Sequence, residues 1–235
     1  MVSLKRRVLP AIMLIVCLSA VSALGEDLYP RGGLLPASSP APLSSLEGTW
    51  MIGDSQTAPF DLMDHLPGMD IEYKVGMSLQ LLNRSKAVKF EDRPMYVPDK
   101  IALKNPGALY LWLGSNGIDR AGAAYILNDY ETLLQTIRSG FPTLILYCIS
   151  ATPVRAKAMD RYPRYTPAKI LEYNQGLLAL CVKYGAIYLD FHSLLAGEDG
   201  YLKAEYAAGD GIHMSYKTYE LLTDYILSHT ADSAL

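Results

Sequence analysis

The 235-residue sequence is poor in cysteine and has no large excess of either charge. Its 3 cysteines are too few for a disulfide framework, and it has no CxxC pair or Cys/His cluster that would predict a structural zinc site. Lys and Arg number 21 against 24 Asp and Glu, and the only dense basic run is at residues 5–7. A protein that binds nucleic acid or an anionic membrane through a basic patch is therefore not expected. We expect no metal and no cofactor, so any chemistry must come from ordinary side chains.

The N-terminus has the layout of a secretory signal peptide. Residues 1–7 are basic, residues 8–18 are almost wholly apolar, and small residues follow up to Gly25. Cleavage after Ala23 and cleavage after Gly25 both fit this pattern. The uncharged stretch is also just long enough to span a bilayer as an uncleaved anchor. The leader predicts a secreted or extracytoplasmic protein.

The rest of the chain divides into a linker and one domain. Residues 26–45 are rich in Pro, Ser, Gly and Ala without a helical or strand period, which favours a linker. Half of all residues are hydrophobic, enough to bury one core of ordinary size. We therefore predict a signal peptide at 1–25, a linker at 26–45 and a single domain at 46–235.

Short apolar strands alternate with helical periods through this domain. One helix is clearly bounded, because Thr166 can cap it, Pro167 fits its first position and Gly185 ends it. Five strands separated by helices predict a parallel sheet in a three-layer α/β/α sandwich. In the flavodoxin-like strand order, the first strand lies between the second and third, so the loops at their carboxyl ends meet where ligands bind. The predicted strands are residues 50–52, 71–75, 108–113, 143–149 and 186–189.

The loops at this edge of the sheet contain the residue types of a nucleophilic site. Ser55 follows the first strand, and Asp210 and His213 precede the last helix. A serine hydroxyl needs a base to take its proton, and the histidine needs a carboxylate to fix its tautomer. Ser55, His213 and Asp210 can fill these three roles. The alternative for Ser55 alone is a helix cap.

The same loops offer hydrogen-bond donors for a developing oxyanion. The backbone N–H groups of Ser55 and Gly76 and the side-chain amide of Asn116 are the candidates. Gly76 follows the second strand and Asn116 follows the third. We expect Asp54 to organise the turn before Ser55 and not to take part in the chemistry.

These four blocks together resemble the SGNH (GDSL) hydrolases. Met51-Ile52-Gly53-Asp54-Ser55 is similar to the first block, Gly76 to the second, Gly114-Ser115-Asn116 to the third, and Asp210-Gly211-Ile212-His213 to the last. The resemblance implies hydrolysis of an ester or acyl group without metal or organic cofactor. One residue departs from the pattern, because Gly117 stands where the family commonly has Asp. No GxSxG motif is present, so the α/β-hydrolase alternative lacks its main signature.

Residues 150–165 lie at the same edge of the sheet and are candidates for substrate contact. Tyr162 and Tyr165 would suit stacking on a sugar ring, and the segment's basic residues would suit an acidic glycan or a phosphate, although a solvated loop explains them equally well. The leading hypothesis is a secreted serine esterase that removes short acyl groups, acetyl above all, from a carbohydrate. An O-acyltransferase with the same triad and a carbohydrate-binding protein without turnover remain open. Expected partners are small-molecule or glycan esters, with no nucleic acid and, if the signal is cleaved, no stable membrane partner.

Cys148 lies on the predicted fourth strand and Cys181 on a helix face. Both positions favour buried thiols. Export would also permit a disulfide between them, and the sequence leaves the two states open.

Overall fold

The computed structural model describes residues 32–231, so the predicted signal peptide at 1–25 lies outside the described residues. Within them the chain alternates strands and helices. The strands are β1 (Gly33–Leu34), β2 (Trp50–Gly53), β3 (Asp70–Tyr73), β4 (Val88–Phe90), β5 (Arg93–Met95), β6 (Ala108–Trp112), β7 (Ile145–Ile149) and β8 (Ile187–Leu189). The α-helices are α1 (Ala58–Leu62), α2 (Leu79–Arg84), α3 (Val97–Lys104), α4 (Ala123–Gly140), α5 (Pro167–Tyr184), α6 (Phe191–Leu195) and α7 (Thr218–Ser228).

Six strands form one sheet in the order β1-β8-β7-β6-β2-β3, and every neighbouring pair is parallel. The five predicted strands are all present, with shifts of one or two residues at their ends. Their order matches the flavodoxin-like prediction, with β2 between β3 and β6. The α/β prediction is therefore confirmed, and the count of five strands is corrected to six.

The sixth strand comes from the segment predicted to be a linker. Gly33 and Leu34 pair with Ile187 and Tyr188 of β8. Farther along, Ser38 N–H donates to the Ser228 carbonyl oxygen at 2.8 Å. The described part of the linker is thus bound to the domain, which begins before residue 46. The edge of β8 would otherwise leave backbone groups without partners, and β1 satisfies them.

The sheet has a separate hydrophobic core on each face. Along β6, Leu109 and Leu111 point into one core while Tyr110 and Trp112 point into the other. All of these side chains are buried, as expected for a central parallel strand. Helices α2, α4 and α5 cover the first face, and α1, α6 and α7 cover the second, which completes three layers.

The predicted bounds of α5 are confirmed. Thr166 Oγ1 accepts the Lys169 N–H at the start, and Gly185, in the left-handed conformation, ends the helix. Cys181 on this helix and Cys148 on β7 are buried free thiols in the same core. Burial raises the pKa of the Cys181 thiol well above its ordinary value, so it stays protonated. Over residues 32–231, none of the helices is both long enough and apolar enough to cross a membrane.

Candidate active site

Ser55 lies in a tight turn directly after β2. The turn requires glycine at position 53, because a Cβ there would lie 1.7 Å from Thr57 Oγ1. This close approach folds the chain back at the end of the strand and leaves Ser55 half-buried. Its Oγ lies 2.9 Å from His213 Nε2, within hydrogen-bond distance.

His213 is held from its other side by Asp210. Asp210 Oδ2 lies 2.6 Å from His213 Nδ1, and Oδ1 accepts the N–H groups of Ile212 and His213 at 2.9 and 3.0 Å. Partial burial tends to raise the pKa of Asp210, but the hydrogen bonds from His213 and Ile212 outweigh it and lower the pKa to about 2. The carboxylate is therefore ionised at neutral pH and fixes the proton of the imidazole on Nδ1.

The loop that contains Asp210 and His213 is braced by residues 155–157. Arg155 N–H donates to the Gly211 carbonyl at 2.8 Å, and Lys157 Nζ donates to the Gly209 carbonyl. Gly211 has φ +78°, and a Cβ there would lie 2.7 Å from Lys157 Cε. Arg155 Nη1 also donates to the Leu202 carbonyl at 2.9 Å. These two basic residues hold the histidine loop, and so they do not fit the substrate-contact role considered from the sequence.

Asp54 connects the serine turn to the loop after β6. The side chain is almost completely buried, and it accepts hydrogen bonds from Gln56 N–H at 2.9 Å, Ser115 Oγ at 2.7 Å and Asn116 Nδ2 at 2.7 Å. Burial raises the pKa of Asp54, although the Gln56 and Ser115 hydrogen bonds and the nearby His213 oppose that rise. Asp54 therefore organises its own turn, as the sequence suggested, and also fixes Asn116.

The three predicted oxyanion donors differ in whether they already have a hydrogen-bond acceptor. Within residues 32–231, the backbone N–H groups of Ser55 and Gly76 have no acceptor. Asn116 Nδ2 donates to the Met77 carbonyl at 3.1 Å as well as to Asp54. Two donors are thus free, and the third is held by two acceptors.

The serine, the histidine and the three residues with oxyanion donors meet at one pocket of about 250 Å³. Ser55, Gly76, Asn116 and His213 line it, together with the half-buried Tyr162. In the described part of the chain, no three His, Cys, Asp or Glu side chains are grouped so that they could hold a metal ion.

Tyr165 also lines the pocket but is only 6% exposed, and its ring belongs to the core between the sheet and α5. It therefore presents little surface on which a sugar could stack. Burial is also the main cause that raises the pKa of its hydroxyl. Both tyrosines predicted to contact substrate therefore line the pocket, and Tyr162 presents the larger surface to it.

Sequence reasoning missed Gln56, which connects three elements of the site. Its Nε2 donates to the Ile212 carbonyl at 3.2 Å, and its own carbonyl accepts the Tyr219 hydroxyl of α7 at 2.6 Å. The side chain is buried and lines the pocket. The only signal in the sequence was its position directly after Ser55. Asp119 and Arg120, three and four residues after Asn116, were also missed and line the pocket.

Comparison with family models matches residues 52–221 to the GDSL-like lipase/acylhydrolase family. The match covers well over half of the chain. The chain belongs to this family. The resemblance to this family is thereby confirmed, and the family suggests hydrolase activity. Among curated proteins, none matches the sequence.

Several solved structures of bacterial proteins share this fold. A Streptococcus pneumoniae protein whose description names platelet activating factor aligns with TM-score 0.63 and 18% identity over 93% of this chain and 98% of its own. A GDSL-like lipase from Bacteroides thetaiotaomicron aligns with TM-score 0.61 and 14% identity over 79% and 88%. The C-terminal catalytic domain of the peptidoglycan O-acetyltransferase OatA from Streptococcus pneumoniae aligns with TM-score 0.53 and 18% identity over 81% and 93%. At these identities, the likeness shows the fold alone.

Proposed function

We propose that the protein is a secreted serine esterase that removes short acyl groups, acetyl above all, from a carbohydrate. The observation that supports this most strongly is the chain of contacts from Ser55 Oγ to His213 Nε2 at 2.9 Å and from His213 Nδ1 to Asp210 at 2.6 Å. Two free backbone N–H groups lie beside it. This is the arrangement that nucleophilic ester cleavage needs.

In the proposed reaction, Ser55 Oγ attacks the ester carbonyl while its proton moves to His213 Nε2. The bond to the leaving alcohol breaks, and His213 returns the proton to that alcohol. Water then attacks the acyl-serine and gives a proton to His213, the bond between the acyl carbon and Ser55 Oγ breaks, and His213 returns the proton to Oγ as the acid leaves. Asp210 stays ionised throughout, which agrees with its low pKa of about 2.

The oxyanion of each tetrahedral intermediate is bound first by the N–H groups of Ser55 and Gly76. The Asn116 amide becomes the third donor when it exchanges the longer of its two bonds, the 3.1 Å contact with Met77, for the oxyanion. Asp54 keeps hold of the same nitrogen and so limits its movement. One such donor is typically worth ~3 kcal/mol of barrier.

The pocket supports a small acyl group, because its volume of about 250 Å³ is modest. Tyr162 at the pocket offers an aromatic surface to a sugar leaving group. The leader at residues 1–25 supports export, where esters of extracellular or cell-surface glycans would be encountered.

The full chain and a Ser55→Ala variant test this proposal with acetyl, butyryl and octanoyl nitrophenyl esters. Turnover should be fastest with acetyl and abolished in the variant, whose circular dichroism spectrum should match that of the parent. Turnover that survives Ser55→Ala would rule out the assigned nucleophile. A preference for octanoyl would rule out the short-acyl assignment.

Acyl transfer to a sugar is the second candidate. Asp210 and His213 are 49% and 37% exposed in their side chains, so the histidine that would activate water is also open to an acceptor alcohol. The shared fold with the OatA domain, an O-acetyltransferase, agrees with this possibility. Measuring acylated sugar formed from an acetyl ester and an added oligosaccharide separates transfer from hydrolysis. The intact triad geometry disfavours the third alternative, a binding protein without turnover.

A further inference from the structure

A second cavity shares a lining segment with the catalytic pocket, and its own lining is rich in lysine. It is a groove of about 610 Å³ beside β3, α2 and the β4–β5 hairpin. One short segment of chain lines both cavities, because Val75 and Gly76 line the catalytic pocket while Lys74 and Met77 line the groove. A substrate with its ester at Ser55 would reach the groove by crossing this segment.

The groove carries positive charge that the protein does not balance. Between residues 74 and 90 the sequence has four basic side chains and no acidic one, although the whole chain has a net charge of -3. Three of these, Lys74, Lys86 and Lys89, are exposed and line the groove. No carboxylate within residues 32–231 lies at ion-pair distance from any of them. The lysines are spread along the sequence, and the fold brings them together.

The one acidic residue that lines the groove is already engaged. Glu72 accepts a hydrogen bond from Lys89 N–H at 2.6 Å and forms an ion pair with the buried Lys100 at 2.7 Å. Lys100 also lies 3.3 Å from Asp70, which pairs with Lys104 at 3.1 Å. The two carboxylates and two ammonium groups of this cluster balance one another, so the three groove lysines remain unopposed.

The groove also has apolar and aromatic surface. Tyr73 and Leu81, both partly exposed, line it together with the lysines. Sugar rings present C–H faces that pack on such side chains, while their charged substituents would reach the ammonium groups.

From these observations we propose that the groove binds a negatively charged glycan strand, one that carries carboxylates, and holds it while an ester on the strand is presented to Ser55. The catalytic half of this statement rests on the proposed function. The segment that lines both cavities favours a glycan over a nucleic acid, since the proposed occupant is the rest of the ester substrate.

Binding is tested first without turnover, in the full chain carrying Ser55→Ala. Calorimetry at low salt should show binding of oligogalacturonate and none of a malto-oligosaccharide of the same length. Adding Lys86→Glu and Lys89→Glu should weaken oligogalacturonate binding at least about tenfold, because attraction becomes repulsion. The matched control is Lys217→Glu, compared with Lys86→Glu alone. Lys217 is an exposed lysine in a different cavity with Glu205 and Glu220, and its reversal should leave the affinity unchanged.

Three results would overturn the proposal. The first is unchanged affinity in the double charge reversal. The second is equal binding of the neutral oligosaccharide. The third is equally tight binding of polyglutamate or of a single-stranded oligonucleotide, which would assign the groove to anions in general and not to a glycan.

A second measurement links the groove to catalysis. With O-acetylated oligogalacturonate, the double reversal in the otherwise unaltered chain should raise KM about tenfold or more, and added salt should reduce the difference from the parent. With 4-nitrophenyl acetate, which is too small to reach the groove, the double reversal should match the parent. If the parent hydrolyses neither ester, the proposed esterase function fails, whereas the binding test on the Ser55→Ala chain still decides whether the groove holds an anionic glycan.

Discussion

Replacing Asp54 by asparagine tests whether a buried carboxylate positions Asn116 for catalysis. In the parent protein, Asp54 Oδ1 accepts the Gln56 N–H and Oδ2 accepts hydrogen bonds from Ser115 and Asn116. The substitution keeps Oδ1 and replaces Oδ2 by an NH₂ group. The Ser115 hydroxyl can rotate and become an acceptor. Asn116 Nδ2 is a donor only, so two N–H groups would face each other and the Asn116 amide must move.

The substitution should affect folding stability and catalysis by different amounts. A hydrogen bond to a charged group contributes ~1.5–3 kcal/mol, and the variant loses one. It also no longer buries a carboxyl group whose pKa is raised by burial, which offsets part of that loss. The net loss of stability should therefore stay below about 3 kcal/mol. Loss of one oxyanion donor lowers kcat by about 100-fold to 1000-fold, so activity should suffer far more than folding.

Steady-state kinetics with 4-nitrophenyl acetate and thermal unfolding measure the two effects. Ser115→Ala is the matched control, because it removes a different hydrogen bond to the same oxygen and leaves the Asp54–Asn116 bond in place. Its kcat should stay within about threefold of the parent. An Asp54→Asn protein with kcat as high as that of the control would refute the positioning role of Asp54.

Three further substitutions test the framework of the site. Asp210 has a pKa lowered from 3.8 to about 2 in the folded protein, so its ionised form stabilises the fold above pH 4 and this contribution is lost as the pH falls towards 2. The Tm difference between the parent and Asp210→Asn should accordingly shrink over that range, and a constant difference would contradict this. Gly211→Ala forces a side chain into φ +78° and against Lys157, so denaturant unfolding should show a loss of about 1–2 kcal/mol, whereas unchanged stability would argue against strain. Tyr219→Phe leaves the buried Gln56 carbonyl without its 2.6 Å donor and should cost about 1–3 kcal/mol by the same measurement, with no loss if that bond is unimportant.

The strands β2, β6, β7 and β8 were predictable because each is a continuous apolar run. β6, for example, is buried at every position, which only a strand covered on both faces requires. The two-residue β1 has no period to detect, and its pairing depends on the exposed edge of β8. The β4–β5 hairpin was also missed, because the positive φ angles of its turn fall on Glu91 and Asp92 and not on the glycine or asparagine that would signal it.

The site residues could be named from the sequence because parallel strands deliver the loops at their carboxyl ends to one edge. Ser55 and His213, 158 residues apart, meet for this reason. The contacts that hold the catalytic side chains in position depend on how those loops approach one another, and no local sequence pattern predicts that approach. The hydrogen bonds that Asn116 Nδ2 donates to Asp54 and that Arg155 N–H donates to Gly211 are examples, and the burial of Tyr165, which depends on its packing in the core beside α5, is another.

The most direct test of the account is labelling of the full chain with a serine-directed fluorophosphonate, followed by intact mass measurement and peptide mapping. An activated Ser55 predicts a single adduct on that residue. Ser55→Ala should give no adduct, and His213→Ala should react far more slowly, because the base that activates the hydroxyl is gone. A parent protein that forms no adduct, or one labelled at another residue, would contradict the claim that Ser55, His213 and Asp210 form a working catalytic triad.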